Sequence, residues 1–313
     1  MRALVTGGCG FIGRWVVAEL LGRGHEVLVI DDLSNGSEEN LAEFKGNAKL
    51  LNVVVGDVSD ESKAAPLVEK ADVVLHLAAR INVQDSIDDP RDTFESDVAG
   101  TFELLEMARR RKVRFLYMST CMVYARATTG AIREDHPTLP ASPYAASKLA
   151  AEALTVSYAH AYGLAATVVR PFNTYGPFQK ATGEGGVVSI FCARALAPEG
   201  RIQIYGDGTQ TRDLVYASDC ARFTVEAALS DRAVGEVLNA GTGKDVSVND
   251  LAAMIQPDAA RIEHVPHIHP QSEVMKLQAD AAKAERLLGW KPEVPLEEGI
   301  ERVKTWLASK DTA

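Results

Sequence analysis

The sequence predicts an α/β protein: a doubly wound parallel sheet followed by a smaller, irregular C-terminal domain. Three observations predict it. Short apolar runs recur through the first half, and they are continuous rather than alternating, as expected of strands buried on both faces. Amphipathic stretches long enough for helices separate them. A glycine-rich turn, Gly7-Gly8-Cys9-Gly10-Phe11-Ile12-Gly13, joins the first of these strands directly to the first helix.

The elements follow in order. Residues 3–5 read as the first strand and 12–23 as a helix with Gly24 just past its end. Strands follow at 27–30, 51–55 and 72–77, a helix at 93–111, a strand at 115–118, a long helix at 142–162 and a strand at 167–169. After Pro171 the rhythm breaks. Residues 173–208 are richer in glycine, proline and polar side chains, and 256–272 carry three prolines and three histidines. Residues 283–290 and 296–309 read as closing helices. The boundary is expected at 172: residues 1–172 form the first domain, with part of 212–240 returning to it, and 173–313 form mainly the second.

Composition narrows the function. The chain has 313 residues, of which 46% are hydrophobic and 24% charged, which excludes disorder and low complexity. No apolar run approaches the roughly 18 residues of a membrane helix. Forty-three acids against 33 bases give a formal charge of −10, so the surface repels nucleic-acid backbones. Cys9, Cys121, Cys192 and Cys220 form no Cys-x-x-Cys pair, and the N-terminus has no leader pattern; both point to a reduced, cytoplasmic protein. His264, His267 and His269 lie in a proline-rich stretch with no acid or cysteine partner nearby, so they read as loop or edge strand and no metal is expected.

The glycine turn is where chemistry enters. Gly7 permits the tight turn, Gly10 lets backbone approach a pyrophosphate, and Gly13 lets the helix pack closely on the sheet. The helix N-terminus then offers free N–H groups to phosphate. Asp31 ends the second strand eighteen residues after Gly13. A carboxylate there accepts from the ribose hydroxyls of adenosine and repels a 2′-phosphate, which favours NAD over NADP. Asp57, after the third strand, is a candidate acceptor for the adenine amino group. This is a Rossmann-type nucleotide site.

Ser142-Pro143 is an N-cap followed by a first-turn proline, and it sets Tyr144 and Lys148 four apart on one helix face. An ammonium beside a phenol favours the phenolate, making Tyr144 a candidate base. With the glycine turn, this pair resembles the short-chain dehydrogenase/reductase superfamily. His76-Leu77-Ala78-Ala79, the run from Arg170 through Asn173 to Pro177, Gly206 to Asp213 and Leu288-Gly289-Trp290-Lys291-Pro292 are similar to its extended branch, the nucleotide-sugar epimerases and dehydratases. The likeness covers essentially the whole chain.

That resemblance implies NAD contacts from Gly7, Gly10, Phe11, Ile12, Gly13, Asp31, Asn35, Asp57, Val58, Leu77, Ala78, Ala79, Tyr144 and Lys148. It implies a hydroxyl partner for the sugar oxygen at Thr120, and a nucleotide-diphosphate site at Asn173, Val187, Gln203, Tyr205 and Arg212, with Glu273 at the nucleoside ribose. Arg212 suits phosphate because its guanidinium forks to two oxygens. Arg80, directly after Ala79, is expected on the substrate. The branch also implies a homodimer.

Departures from the branch bear on the reaction. Where its 4,6-dehydratases read Ser-Thr-Asp-Glu, this chain reads Ser119-Thr120-Cys121-Met122. The acid becomes a thiol, whose ordinary pKa near about 8.5 suits proton transfer, and the base becomes a thioether. Asp97 stands where asparagine is frequent. Glu184 is a further acid or base candidate, and Cys9 reads as filler in the turn. The Cys121-Met122 pair is similar to that of the tunicamycin-pathway 5,6-dehydratases of UDP-N-acetylglucosamine. This implies antibiotic biosynthesis, an exo-glycal product and catalysis by Tyr144, Lys148, Thr120 and Cys121. A UDP-hexose 4-epimerase and a non-catalytic NAD-binding sensor stay open as alternatives.

Overall fold

The computed structural model describes residues 1–127, 130–182, 186–266 and 274–310. The N-terminal part runs β1 (Arg2–Thr6), α1 (Phe11–Gly22), β2 (Glu26–Asp31), β3 (Leu50–Val55), α2 (Glu61–Val68), β4 (Val73–His76), α3 (Val83–Asp88), α4 (Pro90–Phe94), α5 (Gly100–Arg111), β5 (Arg114–Met118), α6 (Pro143–Tyr162) and β6 (Ala166–Pro171). There follow β7 (Asn173–Tyr175), α7 (Val187–Leu196), β8 (Ile202–Tyr205), β9 (Thr211–Tyr216), α8 (Ala217–Leu229) and β10 (Val237–Ala240). The chain closes with β11 (Asp245–Ser247), α9 (Val248–Ile255), β12 (Ile262–Val265), β13 (Lys276–Leu277), α10 (Ala282–Leu288) and α11 (Leu296–Lys310).

Seven strands form one sheet in the order β10-β6-β5-β4-β1-β2-β3, and every pairing in it is parallel. Alternate strand residues feed two separate cores. Val5, Val29 and Leu75 meet α1 and α8 on one face, whereas Leu4, Leu28 and Val74 meet α2, α5 and α6 on the other. Burial on both faces is why these strands read as unbroken apolar runs. Strand order reverses at β1, whose neighbours are β2 and β4, and a ligand crevice opens at such a switch point, beyond the strands' C-terminal ends.

The structure departs from the sequence reading in one place that matters. The single helix expected at 93–111 is broken into α4, a π-helical turn over Glu95–Ala99, and α5. The turn swings Asp97 inward to 1% exposure, where it accepts the Arg80 backbone N–H at 2.7 Å. The segment after β9 contributes a full helix, α8, and the edge strand β10 to this first sheet.

The remaining strands build a smaller unit. β9 pairs with β7 and β13 in parallel and with β11 antiparallel, while β8 pairs with β12. α7, α9 and α11 cover its core, which includes Phe191, Ile204, Leu251 and Val303. His264 bonds Asn249 at 2.9 Å; His267, His269, Glu184 and Glu273 lie outside the described residues. Among the described residues no helix is long and apolar enough to cross a membrane, and no cluster of His, Cys, Asp or Glu could hold a metal ion.

Candidate active site

The glycine turn forms because other side chains do not fit there. Gly7 sits at φ +68°, and a Cβ on Gly13 would lie 2.0 Å from the Gly7 carbonyl oxygen. No side chain caps α1 at Gly10, so the helix presents its first N–H groups and its positive dipole end to the cleft. The cleft, of about 810 Å³, is lined by Gly7, Gly10, Phe11, Ile12, Gly13, Asp31, Asn35, Asp57, Val58, Leu77, Ala78, Ala79, Thr120, Tyr144 and Lys148.

Asp31 is 5% exposed, and its two oxygens accept from Cys9 N at 2.8 Å and Leu33 N at 2.9 Å. Burial raises its pKa, and those N–H bonds oppose the rise. Asp57 caps its own turn through Ser59. Below the turn, Thr6 Oγ1 accepts from Leu77 N and Ala78 N and bonds His76 Nδ1 at 2.7 Å; His76 Nε2 meets Thr101 Oγ1 at 2.9 Å. Burial lowers the His76 pKa to about 3, so this neutral imidazole ties the cleft floor to α5. An uncapped helix start, a turn that excludes Cβ atoms and a buried acceptor at the end of β2 together fit a dinucleotide.

Lys148 lies one turn after Tyr144 on α6, which Ser142 caps through Ala145 N at 3.2 Å. Lys148 is 3% exposed and donates to the Met118 carbonyl at 2.8 Å. Burial pulls its pKa down, while Asp97 pulls it up. Tyr144 is partly exposed as a residue, yet its phenol end is desolvated. That desolvation and the Asp97 charge hold the phenol well above its ordinary pKa, against a downward pull from the Thr120 hydroxyl. In the free protein Tyr144 is therefore a neutral phenol, not the phenolate expected from Lys148 alone. The Ser119 hydroxyl beside it is buried, lines the cleft and finds no partner among the described residues.

Cys121 is 4% exposed and packs with Val123, Tyr124, Phe172, Leu277 and Ala279. Burial pushes its thiol up to about 12, with Arg212 and Thr120 pulling down. This corrects the expectation of a thiol near its ordinary range. Of the positions expected on the diphosphate, Asn173 and Val187 directly follow the cleft-wall residues Phe172 and Gly186, and Asn173 Oδ1 is buried without a partner among the described residues. Gln203 and Tyr205 lie on β8, where Gln203 accepts from Arg194. Arg212, on β9, donates to the Thr211 and Val274 carbonyls at 2.8 and 2.7 Å.

Arg80 differs from expectation. Its guanidinium is taken up by two carboxylates, Asp32 at 2.8 Å and Asp92 at 2.9 Å. Sequence reasoning missed Asp32, Ser34 and Asp92 as its partners, and Ser119 as a cleft hydroxyl. For the first three no local pattern exists, since Asp32 lies 48 residues from Arg80. Ser119 was readable from its place at the end of β5.

The chain belongs to the GDP-mannose 4,6 dehydratase family, whose model matches residues 4–303. It is 38% identical over 316 residues to the UDP-glucose 4-epimerase of Mycolicibacterium smegmatis, covering 99% of each chain. Among solved structures it is similar to Pal from Bacillus thuringiensis, with a TM-score of 0.95 and 51% identity, covering 99% of this chain and 100% of that one. It is also similar to the UDP-glucose 4-epimerase of Thermus thermophilus in complex with NAD, with a TM-score of 0.85 and 32% identity, covering 98% and 99%. The protein is thus an enzyme of the nucleotide-sugar epimerase and dehydratase class, and NAD is the cofactor that its cleft fits.

Proposed function

We propose that the protein oxidises a UDP-sugar transiently at C4 and uses the resulting ketone to eliminate water across C5 and C6 of UDP-N-acetylglucosamine, leaving a 5,6-alkene once C4 is reduced again. The observations that support it are that Thr120, Tyr144 and Lys148 line the cleft together, and that the two residues directly after Thr120 are a thiol, buried beside the cleft wall at Phe172, and a thioether, Cys121 and Met122, rather than carboxylates. NAD, when bound, would supply the hydride acceptor and donor for sugar C4 and a positive ring charge in the cleft. Glycine-turn N–H groups would hold its pyrophosphate and Asp31 its ribose.

With the positive ring charge of a bound nicotinamide beside it, Tyr144 would release its own proton to solvent; as the phenolate it takes the C4 hydroxyl proton when the ketone forms and gives it back on reduction. Thr120 orients that hydroxyl, and Lys148 balances the phenolate. The ketone acidifies the C5 proton. Cys121 then gives its thiol proton to the departing C6 oxygen, which leaves as water, and takes the C5 proton in exchange, ending as the thiol it began as. Arg212 is assigned to the diphosphate.

A second reading, 4-epimerisation, is favoured by the same thiol: a group held at about 12 is a poor resting base, and epimerisation needs no group beyond Tyr144. Proton NMR of the protein with UDP-N-acetylglucosamine separates the two. Vinyl protons at C6 with loss of H5 support elimination. An intact H5 with a changed H4 coupling supports epimerisation, and an unchanged spectrum with NAD bound overturns both.

A further inference from the structure

Arg80 lies in the segment that follows β4, past Leu77-Ala78-Ala79. β4 and β2 are separated in the sheet by β1, so a side chain reaching from the end of β4 to the loop after β2 crosses the end of β1 and the glycine turn. Arg80 makes that reach. Its Nη1 donates to Asp32 Oδ2 at 2.8 Å and to the Ser34 hydroxyl, while Nε donates to Asp92 Oδ2 on α4 at 2.9 Å. Its backbone N–H is fixed at the root by buried Asp97. Gly7, Asp31, Asp32, Ser34 and Arg80 line the same cleft. A second tie lies alongside: Lys180, from beyond β7, donates to Asn35 in the loop after β2.

We propose that Arg80 is a latch over the dinucleotide, spanning the cleft from α4 to the loop after β2 and keeping the cofactor in place between turnovers. The planar fork suits the task because it serves two carboxylates at once, which a lysine cannot do with the same geometry. The side chains of Arg80, Asp32 and Asp92 are 28%, 30% and 56% exposed. Ion pairs that wet are individually weak, so the latch opens to load cofactor, and two arms closing together slow its escape. Chemistry that borrows a hydride and returns it needs the same dinucleotide throughout, which gives retention its purpose.

The test reads cofactor release and needs no sugar, so it stands apart from the reaction proposed above. Protein loaded with labelled NAD is chased with excess unlabelled NAD, and the rate of label loss is measured for wild type, R80A, R80K, D92N and R91A. Arg91 is a neighbouring arginine, 84% exposed and paired only loosely with Glu95, and serves as the charge control. R80A is expected to release NAD about tenfold faster, R80K and D92N to fall between it and wild type, and R91A to match wild type. Melting curves check folding; should R80A not fold, D92N carries the test because it cuts one arm and keeps the arginine. Release from the folded variants within about twofold of wild type, or an equal rise in R91A, overturns the latch. Failure of wild type to hold NAD at all overturns the cofactor assignment and the latch with it.

Discussion

Replacing Cys121 with alanine separates the two halves of the proposed reaction. The thiol is held at about 12 by burial, roughly five units above neutral pH, so about one molecule in 10⁵ carries a resting thiolate. Forming that thiolate before the reaction would cost about 7 kcal/mol. A mechanism that begins with Cys121 as base meets the whole of that barrier; one in which the thiol proton passes to the C6 oxygen as the C5 proton passes to the sulfur never forms the free thiolate. Removing such a donor costs typically about 10²–10⁴ in rate. Cys121→Ala should therefore lose alkene formation by about that factor and still oxidise C4. Vinyl protons in the NMR spectrum report the first, and trapping of the 4-keto sugar with a carbonyl reagent reports the second. Native protein should also resist alkylation at neutral pH, since all four cysteines are buried and the thiolate is the reactive form. Alkene formed by Cys121→Ala at the wild-type rate would refute the assignment.

Two further predictions concern buried charge. The Asp97 carboxylate raises the Tyr144 pKa, so Asp97→Asn removes that push and should move the acid limb of the pH–rate profile to lower pH; an unmoved limb refutes the coupling. Glu152 and Arg170 are 4% and 5% exposed and paired through two bonds, one of them Nε to Oε2 at 3.0 Å. Glu152→Gln strands the guanidinium at about 3–5 kcal/mol, or about 5–8 °C in Tm at the usual unfolding entropy per residue; a melting shift under about 1 °C refutes it.

The sheet was legible because its signals are local. Continuous apolar runs, a glycine turn and Ser142-Pro143 each announce an element within a few residues, and Tyr144 and Lys148 follow from helical spacing alone. What stayed hidden depends on distant partners. The π-helical turn at Glu95–Ala99 looks like uninterrupted helix in sequence; what marks it in the structure is Asp97 meeting the Arg80 backbone. β10 is four residues long and pairs with a strand some seventy positions earlier. The acidities of Tyr144 and Cys121 were misjudged for a related reason. A neighbouring lysine or an exposed thiol can be imagined from sequence, whereas the desolvation that outweighs both belongs to the assembled cleft.

The charges around that cleft explain how a protein of net charge −10 fits an anionic dinucleotide. Its cationic side chains are already engaged. Arg80 is held by Asp32 and Asp92, Lys180 by Asn35, and Lys148 by the Met118 carbonyl with Asp97 acting on its charge. The groups left facing the pyrophosphate position are backbone N–H groups at the uncapped start of α1. Oriented dipoles in a cleft bring no mobile counterions to be displaced and need no side-chain ordering. Affinity built on them is insensitive to the overall charge of the surface, which the Debye length of about 8 Å screens from the cleft in any case. The acidic surface and the anionic ligand are therefore not in conflict, and Arg80, an arginine that lines the cleft, can act as a latch instead of a phosphate clamp.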